Sequence, residues 1–499
     1  MLNSSIRSQI TDRLSPLPRE VEVHDVLTIA PTDLELVALD DDPWTLRALD
    51  ELTEFVETAV GPLGRGPFRI ELSARSEPVV GYQAYRITPA PGGKGLQLQG
   101  LQAEGVYWGM KTLKQLLHFR AGKIVVPLAT ILDGADMEER GIWMQPFGPR
   151  TCAHSDLNAA LDHYKKWIDF LSDHKMNLLE MIVIGENGGL QFRSTSHPEL
   201  NSPDAEQREF LLKELFAYGR LRGLRMQPCI THPEHFDFIA EKHSELAGQN
   251  PIWHHTGEEK LPVNFFHPKT KTIWKALAQE VVEMLSLPCL YFWLSESRLH
   301  ALPPAEQTKS EFLQEAETYH AISQEIGVDL KIALSQGSYP ENLSLIRALP
   351  SEVKWVFYSG ERSGTYNIRY RNPIQPDIAA ATAEGHWISL CNAIRGVPAR
   401  PTAMAALHQH LGEAIQAGLK GVNGMSYAYP GDAMGQFVVA EHSWNWAGRT
   451  LDDTFRVFAL AQEVDDVSAQ AQAYRLYDKV NRAQALHNTS GIGQPFGQH

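Results

Sequence analysis

The chain is poor in cysteine: Cys152, Cys229, Cys289 and Cys391 are the only four in 499 residues, and no two are spaced Cys-x-x-Cys. That excludes a disulfide framework. Three of the four fall in apolar runs with the character of buried strands, so reduced, packed thiols are expected. No apolar run reaches the ~18 residues that a membrane-spanning helix requires, so no span is expected. The opening residues, Met1 to Arg7, lack the apolar core of a secretory leader. Positive charge is also short. Lys and Arg total 45 against 60 Asp and Glu, a net charge of −15. A surface that acidic repels phosphate backbones, which excludes nucleic acids and anionic membranes as general partners. No glycine-rich phosphate loop opens a helix after a first strand, and no internal repeat or low-complexity tract is present. The reading is of a cytoplasmic protein with no organic cofactor; it leaves a homodimer open.

What is present is an ordinary globular composition, 43% hydrophobic and 21% charged, enough apolar residues for a large core. The length suggests two or three domains, one of which could be a barrel of about 250 residues. Residues 1–136 mix strand-like alternation (Glu20 to Ile29, Phe68 to Ser73, Ala84 to Thr88, Ile124 to Leu132) with helical apolar spacing at 43–59 and 104–117, a small α/β domain. From about 138 the rhythm changes. Eight apolar runs read as strands: Arg140–Phe147, Met176–Ile184, Leu224–Thr231, Cys289–Glu296, Leu330–Gln336, Val353–Ser359, His386–Asn392 and Gly421–Tyr427. Amphipathic helical sequence follows several of them, at 155–171, 206–222, 270–286, 309–326 and 402–417. Near-continuous apolar strands alternating with helices predict a (β/α)8 TIM barrel over 137–451. An open doubly wound sheet is the rival. Residues 452–499 read as a C-terminal helical segment with a frayed tail.

Active sites of such barrels lie at the C-terminal ends of the strands. The residues predicted there are aromatics, amides and carboxylates: Glu186 after strand two, His232 to His235 after strand three, Glu296 at the end of strand four, Trp355 and Tyr358 on strand six, Trp387 and Asn392 on strand seven. Aromatic faces beside neutral polar groups suit a sugar, whose apolar face stacks while its hydroxyls hydrogen-bond. Glu296 follows four apolar residues, Tyr291 to Leu294, so partial burial would raise its pKa toward that of a general acid. The bland alternative pairs it with Arg298 or Arg140. The His-Pro-Glu-His run at 232–235 invites a metal, but Pro233 blocks the helix that would align two histidines, and no metal is expected.

Several short stretches resemble glycoside hydrolase family 20, the β-N-acetylhexosaminidases. Gly105-Val-Tyr-Trp-Gly-Met-Lys-Thr-Leu-Lys-Gln-Leu-Leu117 is similar to the helix closing that family's small N-terminal domain, a domain also found in the family 67 α-glucuronidases. Ile131-Leu-Asp133 with Arg140-Gly141, Lys175-Met-Asn177, His197-Pro-Glu-Leu200 and Pro228-Cys-Ile-Thr-His-Pro-Glu-His235 resemble its barrel entry, second strand and third-strand motif. The resemblance implies that Arg140 grips sugar hydroxyls, that His235 lies near the sugar and the acid, and that Glu296 is the general acid/base. The family's fourth strand ends Asp-Glu, its Asp orienting the substrate's 2-acetamido group; here the pair is Ser295-Glu296. Thr231 replaces the third-strand Asp, Glu234 the Gly before His, and Glu180 or Ile182 and Gly185 occupy the usual second-strand His and Asp positions.

The expected activity is hydrolysis of a non-reducing-end sugar glycoside, β-N-acetylhexosaminidase-like, in carbohydrate metabolism. Substrate binding is assigned to Arg140, His235, Glu186, Trp355, Tyr358, Trp387 and Asn392. A second carboxylate would come from Glu186, Glu234, Glu361 or Asp432. Its distance from Glu296 decides the outcome, about 5–5.5 Å for retention and about 6.5–9.5 Å for inversion. Two alternatives stand beside this: a non-catalytic carbohydrate-binding barrel, motivated by Ser295, and a uronic-acid glycosidase using Arg150, Arg298 or Arg362 for the substrate carboxylate.

Overall fold

A computed structural model describes residues 4–75, 77, 81–144, 157–185, 189–248, 252–253, 259–295, 310–335, 341–358, 376–393, 404–426, 432–462, 464 and 466–489. It divides into two compact units. One comprises 1–140, 173–176 and 437–477; the other comprises 141–172, 177–436 and 478–499.

The first unit is built on a seven-stranded mixed sheet. Its order is Glu20–Ile29, Lys123–Ala135, Tyr82–Pro89, Gly95–Gly100, Phe68–Ala74, Leu34–Ala38, with His118–Arg120 paired to Lys123–Ala135. Helix Pro43–Val60 starts where Asp42 accepts a bond from the Trp44 amide (2.8 Å) and Pro43 pre-sets the first turn. Helix Gly105–Leu116 is buried along nearly its whole length. Its two glycines explain how it lies so close to the sheet. A Cβ on Gly105 would stand 1.9 Å from the Ala84 carbonyl oxygen, and one on Gly109 would meet Leu98 and Tyr85 side chains at 2.3 and 2.8 Å.

His118 supplies a pH signature in this unit. Burial, and behind it the positive charge of Arg13, pushes its pKa from 6.5 down to about 4. The unfolded chain therefore takes up a proton as pH falls from 6.5 toward 4 while the folded chain resists it, so stability falls with pH across that window. His118→Gln is expected to flatten this dependence. Melting temperatures at pH 7.5 and 4.5 check it: the wild type should lose more on acidification than the variant.

The second unit is a closed barrel of eight strands in the order three-four-five-six-seven-eight-one-two. The strands are Glu139–Met144, Leu178–Ile184, Arg225–Ile230, Cys289–Trp293, Asp329–Leu334, Lys354–Tyr358, Ile388–Ala393 and Gly421–Ser426. Every register determined between neighbours is parallel. All eight predicted strands are present. Five predicted helices appear as Leu157–Asp173, Ala205–Leu221, Pro268–Leu285, Glu311–Ile326 and Met404–Gln416. Two further helices, Asn342–Ala348 and Pro376–Ala383, are too short to show an apolar period. Residues 452–488 hold two helices, Leu451–Ala461 and Val467–Thr489. Inside the barrel, side chains from all eight strands meet: Trp143, Ile182, Cys229, Tyr291 with Trp293, Ala333, Val356 with Tyr358, Cys391 and Met425. Cys229, Cys289 and Cys391 are not joined in a disulfide. Among the described residues no helix is long and apolar enough to cross a membrane.

Candidate active site

The barrel interior has two chemically distinct levels. Near the middle of the strands, Glu180 of strand two is fully buried and pairs with Lys331 of strand five at 2.7 Å. Asn423 of strand eight donates to the same carboxylate. The Lys331 ammonium lies over the rings of Tyr291 (5.3 Å) and Trp387 (5.6 Å). Burial, then the Glu180 charge, pushes the Tyr291 hydroxyl and the Cys391 thiol well above their usual pKa values, so neither ionises in the neutral range. This level is a charge-paired plug. Glu180 is committed to it and is not a spare catalytic carboxylate.

The upper level lies at the strand ends. Trp143 is one residue from the end of strand one, Trp293 closes strand four and Tyr358 closes strand six. Their rings form a contiguous wall, with Trp143–Trp293 at 6.0 Å and Trp293–Tyr358 at 5.4 Å. His232, in the loop after strand three, sets its ring edge-on to Trp293 at 5.0 Å and lies 5.5 Å from His235. Its Nδ1 bonds the Leu294 carbonyl oxygen at 2.5 Å, which requires the proton on Nδ1 and leaves Nε2 as the acceptor when the ring is neutral. Glu234 and Asp432 are buried nearby in sequence to strands three and eight, and Asp432 accepts from Ser426 Oγ at 2.8 Å. Among the described residues no group of three His, Cys, Asp or Glu is disposed to hold a metal ion.

The predicted site residues separate under this geometry. His235 and Tyr358 lie at the C-terminal end. Trp355 does not. Val356 and Tyr358 face inward, so by strand alternation Trp355 faces outward, where it is fully buried. Trp387 precedes strand seven and sits beside Lys354 (5.0 Å) and Lys331, at the opposite end of the strands. Both assignments to sugar stacking are therefore corrected. Arg140 is also displaced from its expected role. It is the second residue of strand one and falls within the first unit, has no exposed surface, and donates to the Lys175 carbonyl (3.1 and 3.0 Å), the Met137 carbonyl (2.7 Å) and Gln83 Oε1 (2.8 Å). Its guanidinium also lies 4.7 Å above the Trp444 ring. Asn392 is the fifth residue of strand seven; its side chain, with Glu186, Glu296, Arg150, Arg298, Glu361 and Arg362, lies outside the described residues.

Sequence reasoning passed over Trp293, and it placed His232 at the strand end without giving it a role beyond a rejected metal ligand. The signal for Trp293 was available: it is two residues from Tyr291, on the same face of a strand. At Gly185 the structure accounts for a departure from the family pattern. This glycine has φ +94°, and a Cβ there would lie 2.1 Å from Thr231 Oγ1. The positive φ and the Thr231 side chain together leave no room for an aspartate at 185.

Two family models match the chain: glycosyl hydrolase family 20, domain 2, over residues 11–134, and glycosyl hydrolase family 20, catalytic domain, over residues 159–301. The catalytic match begins after strand one and ends beyond strand four, so strand one and strands five to eight fall outside it. No curated protein matches. Solved structures do. The exo β-N-acetylglucosaminidase of Vibrio harveyi superimposes with a TM-score of 0.67 at 15% identity, covering 92% of this chain and 78% of that one. The β-N-acetylhexosaminidase of Streptomyces coelicolor A3(2) gives 0.66 at 18% identity, covering 93% and 96%. Flavobacterium johnsoniae chitobiase gives 0.67 at 16% identity, covering 98% and 77%. With two domain matches that together span more than half its length and lie in the family's order, this chain belongs to glycosyl hydrolase family 20 and is a glycosidase of that family.

Proposed function

We propose that the protein removes a non-reducing-end sugar, with N-acetylhexosaminides as its first substrate class, and that Glu296 is the proton donor to the departing glycosidic oxygen. One observation carries this reading: the family's catalytic-domain match runs through strands three and four and takes in Glu296, three residues beyond the strand's last residue, Trp293. A carboxylic acid there would protonate the leaving group as the anomeric carbon gains cationic character. The wall of Trp143, Trp293 and Tyr358 supplies a face for the sugar ring, and His235 a polar edge. Glu234 and Asp432 are the described carboxylates that remain as candidates for the second acid–base group.

Ser295 favours a second reading, a barrel that binds carbohydrate without turning it over. A panel of 4-methylumbelliferyl β-glycosides separates the readings. Release from the N-acetylglucosaminide above the glucoside and glucuronide is the expected result. Binding of the free sugars with no turnover on any member would support the binding barrel. A clear preference for the glucuronide would move the assignment to uronic-acid glycosides.

A further inference from the structure

A buried carboxylate on the fourth barrel helix stands outside the chemistry described so far. Glu315 has no exposed surface and lies on the apolar face of helix Glu311–Ile326 with Phe312, Ala316 and Tyr319. Removing a carboxylate from water is unfavourable unless strong donors replace the solvent. Glu315 has such donors: the Ser295 amide reaches one oxygen at 2.9 Å, and the Ser295 hydroxyl donates to the other. Ser295 is held from another side as well, because Ser335, just past strand five, donates to its carbonyl oxygen. The preceding residue, Leu294, is tied by His232 at its carbonyl and by its own amide to the Ala333 carbonyl at 3.0 Å. Three side chains from three separate elements thus hold two consecutive residues just where the strand ladder ends.

We propose that Glu315 is a positioning residue for the glycosidase reaction: by gripping the amide and hydroxyl of Ser295 it fixes the strand-four terminus, and with it the place from which the next residue, Glu296, acts. Ser335 completes the grip from the carbonyl side. The inference rests on the reading of Glu296 as the proton donor. It also assigns Ser295 a role. Its hydroxyl proton goes to Glu315, so Ser295 serves the scaffold and does not stand in for a substrate-orienting carboxylate. An aspartate at 295 would set two carboxylates against each other.

The experiment compares Glu315→Gln, Ser335→Ala and Ser295→Asp with Glu296→Gln, using two N-acetylglucosaminides that differ in leaving group. The alkyl glycoside needs protonation to depart; the 2,4-dinitrophenyl glycoside does not. Displacing a reacting group by about 1 Å costs on the order of 100-fold. Glu315→Gln is therefore expected to lower kcat on the alkyl glycoside by roughly 10- to 100-fold with KM unchanged, and by under about 3-fold on the dinitrophenyl glycoside. Ser335→Ala should show the same split at smaller size. Ser295→Asp should lose activity rather than gain it. Wild-type kcat in folded Glu315→Gln, or equal losses on both substrates, would overturn the proposal. If Glu315→Gln does not fold, Ser335→Ala decides by the same criterion. Full activity in Glu296→Gln would remove the donor reading itself, whereas an inactive Glu296→Gln beside an unaffected Glu315→Gln removes only the positioning role.

Discussion

Glu296→Gln is expected to lower turnover of an alkyl or 4-methylumbelliferyl N-acetylglucosaminide by about 10²–10⁴-fold, the usual contribution of a positioned general acid. The amide has nearly the carboxyl's shape and volume, so substrate affinity and melting temperature should stay close to wild type. What the variant lacks is a proton to give. The loss should therefore shrink on the 2,4-dinitrophenyl glycoside, whose leaving group departs as a stable anion. The pH profile supplies a second check. The alkaline limb of kcat/KM reports the acid that must be protonated, and it should disappear in the variant. A Glu296→Gln enzyme that keeps wild-type kcat on both leaving groups would strip that residue of its role and return attention to Glu234 and Asp432.

Asp133→Ala should be the most damaging change to stability in the first unit, at about 3–5 kcal/mol. The Asp133 carboxylate accepts from Tyr85 Oη at 2.6 Å, Lys175 Nζ at 3.1 Å and Trp444 Nε1 at 2.9 Å. Lys175 and Asp133 have no exposed side-chain surface. Burial already pulls the Lys175 pKa below 10.5, with Asp133 the largest opposing influence. Removing Asp133 deepens that depression and leaves an ammonium in a dry core. The sign of the pH dependence follows. A lysine whose folded pKa lies below its unfolded value binds fewer protons in the fold, so stability rises with pH up to about 10.5. The variant should melt roughly 10 °C below wild type at pH 7 and recover part of the difference at pH 9.5. Lys175→Met added to Asp133→Leu should also recover part of it, because an apolar pair needs no charge partner. A loss under 1 kcal/mol in Asp133→Ala would mean that Lys175 finds another anion.

The same network explains how several sequence resemblances arise together. The stretches at 131–133 and 140–141 lie more than 30 residues before the one at 175–177. In the fold, Asp133 holds the Lys175 side chain, and Arg140 holds the Lys175 carbonyl. The family signature was legible there, but the role it implied for Arg140 was not. An arginine before a glycine at the start of a strand reads equally as a ligand or as a brace. Which it is depends on what surrounds the guanidinium, and here that includes three backbone carbonyls, an amide oxygen and an indole face.

The aromatics show where sequence reading stops. Trp355 and Tyr358 stand on one strand, three residues apart, so they must face opposite ways. In an exposed sheet, polar alternation would reveal which faces in. In this barrel strand both faces are buried, the run Trp355-Val-Phe-Tyr358 is apolar throughout, and the sign of the alternation is invisible.

By itself the chain's order of residues determined the architecture. Parallel strands sealed on both faces must be nearly continuous apolar runs, and eight of them between helical stretches leave few folds open. It also determined the family, through short motifs whose spacing survives in the text. The tertiary structure alone decided which polar groups are committed to one another. Glu180 with Lys331, Asp133 with Lys175 and Glu315 with Ser295 join residues 151, 42 and 20 positions apart. Desolvation makes each such pairing obligatory, yet nothing local records a partner that only closure of the barrel or docking of a helix brings within reach.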